Sequence, residues 1–314
     1  MKLYLTPPGQ LPPGVVVLGM FDGVHKGHRQ LLETAKAFAR RDRLPVYVLT
    51  FQRHPLQVLR PQIAPPMLTT LTQRARLMAG AGVDALFALP FTHETANESP
   101  EDFLAWLTDT FSPRHVVAGF NYSFGKGGRG DGEMLKAFGE KHGCQTHIVP
   151  PVTYEGESIS SSRIRKLIQA GEMALANYLL GSPYALSGRV ETGKRVGRTM
   201  GFPTANLPLP KDRVIPAYGV YAAWLHVEGR RYPAVLNVGR HPTLPEGNAT
   251  IEAHVMGETV NLYGKKVRIE FLNFQRGEKR FDSVEALKAQ IARDKEEALA
   301  WFENNPKEML KKAY

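Results

Sequence analysis

Cysteine is nearly absent: the 314 residues include one, Cys144. A single thiol excludes an internal disulfide framework and matches a reducing compartment, so a cytoplasmic location is expected. It lies in Gly143-Cys144-Gln145 with no catalytic partner pattern around it and is read as inert. Long apolar runs are also missing. No stretch approaches the roughly 18 residues that cross a bilayer, so no membrane role is expected. Residues 1–14 carry one lysine and four prolines, which is not the form of a secretory signal. A concentrated basic tract is lacking as well. The net charge is +10, but residues 183–314 carry 21 Lys/Arg against 15 Asp/Glu and the remainder 19 against 15. Nucleic acid prefers a stripe or a tail, so no nucleic-acid partner is expected. Sites for polyanionic small molecules such as nucleotides explain the excess equally well, and charge alone does not choose.

What is present is most informative at residues 15–28. Val15-Val16-Val17-Leu18 is short and β-branched enough to be a buried strand, and Leu31, Leu32, Ala35, Phe38 and Ala39 then recur at helical spacing. Gly19, Gly23 and Gly27 fall in the turn between, where a missing Cβ lets backbone approach a ligand. The following helix opens with unpaired N–H groups and a positive dipole end, which suits phosphate. His25 and His28, separated by Lys26-Gly27, add two imidazoles at that opening. This is an HxGH nucleotide-binding signature, with Gly19, Phe21, Asp22 and Gly27 as the rest of the ATP-binding turn. Zinc is the competing reading, but no further Cys/His pair has ligand spacing.

The chain is long enough for about two domains. In the first half, strand patterns at 46–51, 84–89, 116–119 and 147–149 follow the first, with helical patterns at 71–78 and 100–110 between them. Alternation of this kind implies a mostly parallel sheet with covering helices and ligands beyond the strand C-termini. From about Ser182 the texture changes to short strands at 185–191, 219–227, 232–238, 250–255 and 267–271, closed by a helix at 283–304. Many short strands at such spacing suggest a closed barrel or a sandwich. The boundary is placed at Gly181-Ser182-Pro183, giving domains 1–182 and 183–314.

Four strings occur in order: Met20-Phe21-Asp22-Gly23-Val24-His25-Lys26-Gly27-His28; Thr50-Phe51 with His54-Pro55; Ile159-Ser160-Ser161-Ser162-Arg163-Ile164-Arg165; and Gly197-Arg198-Thr199-Met200-Gly201-Phe202-Pro203-Thr204-Ala205-Asn206. Together they resemble the prokaryotic bifunctional riboflavin kinase/FMN adenylyltransferase family, also called FAD synthetases, across essentially the whole chain. The resemblance implies an α/β Rossmann-like nucleotidylyltransferase domain followed by a small antiparallel β-barrel riboflavin kinase domain with a C-terminal helix. It implies that ATP phosphorylates riboflavin to FMN and that a second ATP adenylylates FMN to FAD with release of pyrophosphate.

Residue by residue, the resemblance makes His25 and His28 hydrogen-bond donors to the triphosphate. Ser161, Ser162 and Arg165 would hold the β- and γ-phosphates from a mobile loop, whereas Arg163 competes with a solvated helix start. Asn121, Tyr122 and Phe124 occupy a flavin-binding segment. Family members often have Asp, Phe and Arg where this chain has Asn121, Tyr122 and Ser123, so Ser123 removes a positive charge. Tyr122 and Phe124 serve equally well as stacking rings or as core. In the second domain, Gly188, Arg189, Gly193, Lys194, Gly197 and Arg198 form a glycine-spaced basic segment able to wrap a triphosphate. Thr204 and Asn206, two apart, share a side of an extended segment and offer hard oxygen donors for Mg²⁺. Glu252 would be the base for the ribityl hydroxyl, with His254 on the same face as the weaker alternative. Asn237 and Arg276 would line the flavin and nucleotide pocket, and a monomer or weak homo-oligomer is expected. Two other readings compete: an adenylyltransferase for another phosphorylated acceptor, which leaves residues 183–314 unexplained, and a nucleic-acid-binding module, which lacks a basic cluster.

Overall fold

The computed structural model describes residues 1–191, 204–239, 249–258 and 260–305. Gly193, Lys194, Gly197 and Arg198 therefore lie outside the described residues. The chain divides into two compact units, Met1–Ser161 and Ser162–Tyr314.

In the first unit, β1 (Lys2–Tyr4), β2 (Gly14–Leu18), β3 (Val46–Phe51), β4 (Ala85–Leu89), β5 (Pro113–Gly119) and β6 (Gln145–Val149) form one sheet in the order β1-β4-β3-β2-β5-β6. Every neighbouring pair is parallel. Helices α1 (Lys26–Asp42), α2 (Leu56–Leu59), α3 (Leu71–Gly80), α4 (His93–Asn97), α5 (Pro100–Phe111) and α6 (Gly132–His142) accompany it, and β7 (Thr153–Tyr154) with β8 (Glu157–Ser158) makes a small antiparallel ribbon. Strand β2 is the middle of the sheet and is buried along its whole length, so it reads as a continuous apolar run rather than an alternating one. One apolar cluster joins Val15, Val17, Leu32 and Ala35 on one face, and another joins Val16, Leu18, Phe87 and Phe111 on the opposite face. The chain runs outward from β2 through β3 to β4 on one side, then returns to β5 on the other. The ends of β2 and β5 are thus the switch point, where an open α/β sheet leaves a crevice. The edge strand β1 extends the sequence expectation, which began at residue 15.

In the second unit, α7 (Ser161–Ala170) and α8 (Met173–Leu180) precede an antiparallel sheet. Its strands are β9 (Tyr184–Arg189), β10 (Ala205–Pro208), β11 (Gly219–Val227), β12 (Arg230–Gly239), β13 (Thr250–Val255) and β14 (Lys266–Gly277), in the order β10-β13-β12-β11-β14-β9. The two edges meet just beyond β9, where the Glu191 N–H donates to the Asn206 carbonyl at 2.9 Å and the two residues form an antiparallel bridge. The interior holds Tyr221, Ala223, Leu236, Ala253, Ile269 and Phe271, all at most 1% exposed. Helix α9 (Val284–Asn304) starts at Ser283, whose hydroxyl accepts the Ala286 N–H at 3.1 Å. Its Ala298 and Phe302 pack with Ala222, Trp224 and Leu272.

The compact division falls at the first turn of α7, between Ser161 and Ser162, and α8 packs within the second unit. Asn177 on α8 shows why: its Nδ2 donates to the Phe271 carbonyl at 2.8 Å, and its Oδ1 accepts the Tyr184 N–H at 2.7 Å. Ser161 and Ser162 open α7, so the expected mobile loop is a helical turn.

Candidate active sites

At the exit of β2 the backbone makes a tight turn through two non-glycine residues with left-handed φ, Phe21 (52°) and Val24 (44°), with Gly23 at 85° between them. Such conformations persist only when their surroundings over-determine them. Here the buried Asp22 carboxylate accepts the Leu68 N–H (2.9 Å), the Thr69 N–H (3.0 Å) and the Thr69 hydroxyl (3.0 Å). The Thr69 Oγ1 in turn accepts the Gly23 N–H at 2.9 Å, and the Ser161 hydroxyl donates to the Asp22 carbonyl at 2.9 Å. Asp22 and Ser161, both expected at the phosphates, therefore brace the turn. Thr70 and Gln73 form a reciprocal capping box that starts α3 immediately after this brace. Phe21 is fully buried.

His25 is the N-cap of α1, and its Nδ1 accepts the His28 N–H at 3.3 Å. That bond requires a bare Nδ1, which places the proton of the neutral ring on Nε2. The two imidazoles stack at 3.7 Å with an 18° tilt. Gly27 makes this possible, since a Cβ there would lie 3.1 Å from the His25 ring and 3.3 Å from the Ile159 carbonyl. Burial, then the neighbouring His25 and Arg74, push the His28 pKa well below the usual histidine value. Its Nδ1 is enclosed and has no hydrogen-bond partner among the described residues. The site thus offers two stacked imidazoles at a helix opening, with His28 held neutral by its burial, where they can donate to developing negative charge.

Beyond β5, Asn121 is exposed, but Phe124 is only 6% exposed and packs on Phe103 at 5.2 Å. Tyr122 is half-buried and packs against the same core cluster. Burial raises its hydroxyl pKa. Both rings pack with core side chains. Phe120, which the sequence did not single out, is the aromatic that stands out at the β5 exit, 54% exposed.

In the second unit the register places the candidate residues in one row. Asn206 on β10 is opposite Glu252 on β13, Glu252 is opposite Asn237 on β12, Asn237 is opposite Val220 on β11, and Val220 is opposite Arg276 on β14. Direct cross-strand partners project to the same face with Cα atoms about 5 Å apart. Asn206, Glu252 and Asn237 are half-buried while Ile251 and Ala253 point into the core, so the polar row faces away from the interior. Thr204, also half-buried, precedes Asn206 on the same side. Arg276 reaches the row only because β14 continues past Phe271 with register shifts against β11. Its guanidinium grips Asp294 on α9 with two bonds, 2.7 Å from Nε and 2.6 Å from Nη2. Arg276 thus ties the helix to the sheet. Arg189 is likewise engaged, donating to the Gly264 carbonyl. Arg165 is buried on α7.

A family model described as FAD synthetase matches residues 8–163, and one described as riboflavin kinase matches residues 180–302. The bifunctional riboflavin kinase/FMN adenylyltransferase of Bacillus subtilis is 37% identical over 295 residues, covering 92% of this chain and 93% of its own. The protein of the same name in Escherichia coli K12 is 36% identical over 290 residues, covering 92% of each. A crystal structure from Streptococcus pneumoniae, of a protein named there as a macrolide-efflux protein, matches with TM-score 0.84 and 35% identity, covering 93% of this chain and 94% of that one. Among the described residues no helix is long and apolar enough to cross a membrane. The two family-model matches, with 36–37% identity to these relatives across 92% of the chain, show that the chain belongs to the bifunctional riboflavin kinase/FMN adenylyltransferase family.

Proposed function

We infer that the chain phosphorylates riboflavin to FMN in its C-terminal half and adenylylates FMN to FAD in its N-terminal half, with ATP as donor in both steps. The carrying observation is the pair of sites itself: stacked histidines at a parallel-sheet switch point, and a carboxylate between two amides on an antiparallel sheet. The catalytic halves are residues 1–182 and 183–314, with α7 and α8 attached structurally to the second.

In the adenylyl transfer, an FMN phosphate oxygen bonds to the α-phosphorus of ATP as the bond to the β-phosphate oxygen breaks, and pyrophosphate leaves. The nucleophile is already an anion at neutral pH, so positioning and charge stabilisation do the work. His25 donates from Nε2, and His28 beside it acts as a neutral donor. Gly19 and Gly27 admit the phosphates to the helix opening, while Phe21 and Asp22 set the turn. Ser162 and Arg165 engage the outer phosphates, Arg165 with its planar, permanently charged fork. Asn121 and the exposed Phe120 meet the flavin.

In the kinase step, the terminal ribityl oxygen attacks the γ-phosphorus, ADP leaves, and the hydroxyl proton passes to Glu252. Asn237 orients the flavin side chain next to that carboxylate. Thr204 and Asn206 fit Mg²⁺ by the chemistry of their donors, one hydroxyl and one amide oxygen beside Glu252, since this ion is usually held by few protein oxygens plus substrate phosphates. When bound, Mg²⁺ neutralises phosphate charge. Gly188 and Arg189, with Gly193, Lys194, Gly197 and Arg198 outside the described residues, wrap the triphosphate. The enzyme is placed in the cytoplasm as a monomer or weak homo-oligomer.

Incubating the protein with riboflavin and MgATP, then separating flavins by chromatography, tests the reading. FMN should form first and FAD after it. Conversion of neither riboflavin nor supplied FMN by folded protein would refute it.

A further inference from the structure

Arg74 is among the largest side chains the fold buries completely, at 1% exposure. It occupies the buried face of α3 together with Met78, where packing alone is satisfied by an apolar residue. Its Nη1 donates to the Met20 carbonyl at 3.0 Å, the Phe51 carbonyl at 2.8 Å and the Thr50 hydroxyl at 3.3 Å, and its Nη2 to the Gln52 carbonyl at 2.7 Å. The Thr50 hydroxyl itself donates to the Met20 carbonyl at 2.9 Å. These acceptors belong to two chain segments, the exit of β3 and the first residue of the turn that leads to His25. A planar fork can hold both at once, and a compact ammonium cannot. Burying a permanent charge is costly unless its donors are satisfied, so the residue is an expensive choice for mere filling.

We propose that Arg74 is a positioning residue of the adenylyl-transfer site, locking the start of the Met20–His25 turn to the end of β3 with a permanently charged fork. The charge acts in the same direction on His28: after burial and His25, Arg74 helps hold that ring neutral. Asp22, the acidic group of the turn, has its carboxylate on Leu68 and Thr69. Arg74 touches no substrate in this account. It sets where the donors stand, and it rests on the assignment of His25 and His28 to the triphosphate.

The test uses the full chain with Arg74→Met, which keeps an apolar side chain without charge, and Arg74→Lys, which keeps charge without the fork. Adenylylation of supplied FMN is measured alongside riboflavin phosphorylation as an internal control, and His28 is titrated by NMR of ring-labelled histidine. For Arg74→Met, kcat for adenylylation should fall about a hundredfold. His28 should titrate at higher pH than in the parent, with riboflavin phosphorylation unchanged. For Arg74→Lys, the His28 titration should stay at the parent position while kcat falls about tenfold, because backbone placement is lost and charge is retained. Parent-like kcat in Arg74→Lys, or an unmoved His28 titration in folded Arg74→Met, would overturn the proposal. If Arg74→Met does not fold, the lysine variant decides alone. Should His28→Ala adenylylate FMN normally, the reading of the histidine site fails instead, separately from the role of Arg74.

Discussion

In the first unit the candidate side chains sit on a turn at the exit of a parallel strand, whereas in the second they stand in one row across antiparallel strands. A parallel sheet buried on both faces has no open face for chemistry, so its site gathers where strands end and helices begin. Holding such a turn takes many bonds, and Asp22, Thr69, Arg74 and Ser161 supply them. An antiparallel sheet needs only register, because direct partners already share a side. The chemistry differs in parallel. Where the nucleophile is a phosphate, neutral donors suffice; where it is an alcohol, a carboxylate is required.

The largest expected effect attacks the second site. Glu252→Gln should lower riboflavin phosphorylation by roughly two to four powers of ten, the usual range for a general base. Adenylylation of supplied FMN should stay nearly unchanged. The amide preserves shape while removing basicity, so normal FMN synthesis would exclude the assignment, and a pure loss of riboflavin binding would make Glu252 a positioning residue.

Stability should divide along the same line. Asp294→Ala leaves Arg276 without its bidentate partner at a nearly buried position, and the cost is about 3 kcal/mol in thermal unfolding of the second unit. Riboflavin phosphorylation should lose temperature tolerance while adenylylation does not; equal loss of both would contradict separate units. Asp22→Asn places an amide donor against backbone donors that now find a carboxylate. Roughly 2 kcal/mol should be lost from the first unit, together with adenylylation, and an unchanged melting profile would show that the brace is dispensable.

Much of this was legible in the sequence, for reasons particular residues make plain. The apolar run at β2, the alternation at β13 and the Ser283 cap of α9 are local signals, and each element appears where expected. The edge strand β1 was missed because it has three residues, two of them exposed, with no periodicity to read. The docking of α8 through Asn177 depends on partners 7 and 94 positions away, beyond any local pattern. Tyr122 and Phe124 could not be divided between core and flavin without burial. Arg74 had a visible signal, an arginine on the apolar stripe of Leu71, Ala75 and Met78, which marks a charge with a buried task.

The smallest effect gives a probe for one unit alone. Cys144 is the chain's lone thiol, lies in the first unit at 7% exposure, and burial pushes its pKa up to about 11. At pH 8 only about a thousandth of it is thiolate, so native protein should react slowly with thiol reagents. Asp22→Asn should speed that labelling and Asp294→Ala should leave it unchanged; the reverse pattern would dissolve the comparison.

The most direct measurement is the flavin product profile of His28→Ala given riboflavin and MgATP. Two independent sites predict FMN accumulating at close to the parent rate, with FAD formation reduced by at least about a hundredfold, as for loss of a transition-state donor. If FMN and FAD fall together while the protein remains folded, the two activities share residues, and the account is contradicted.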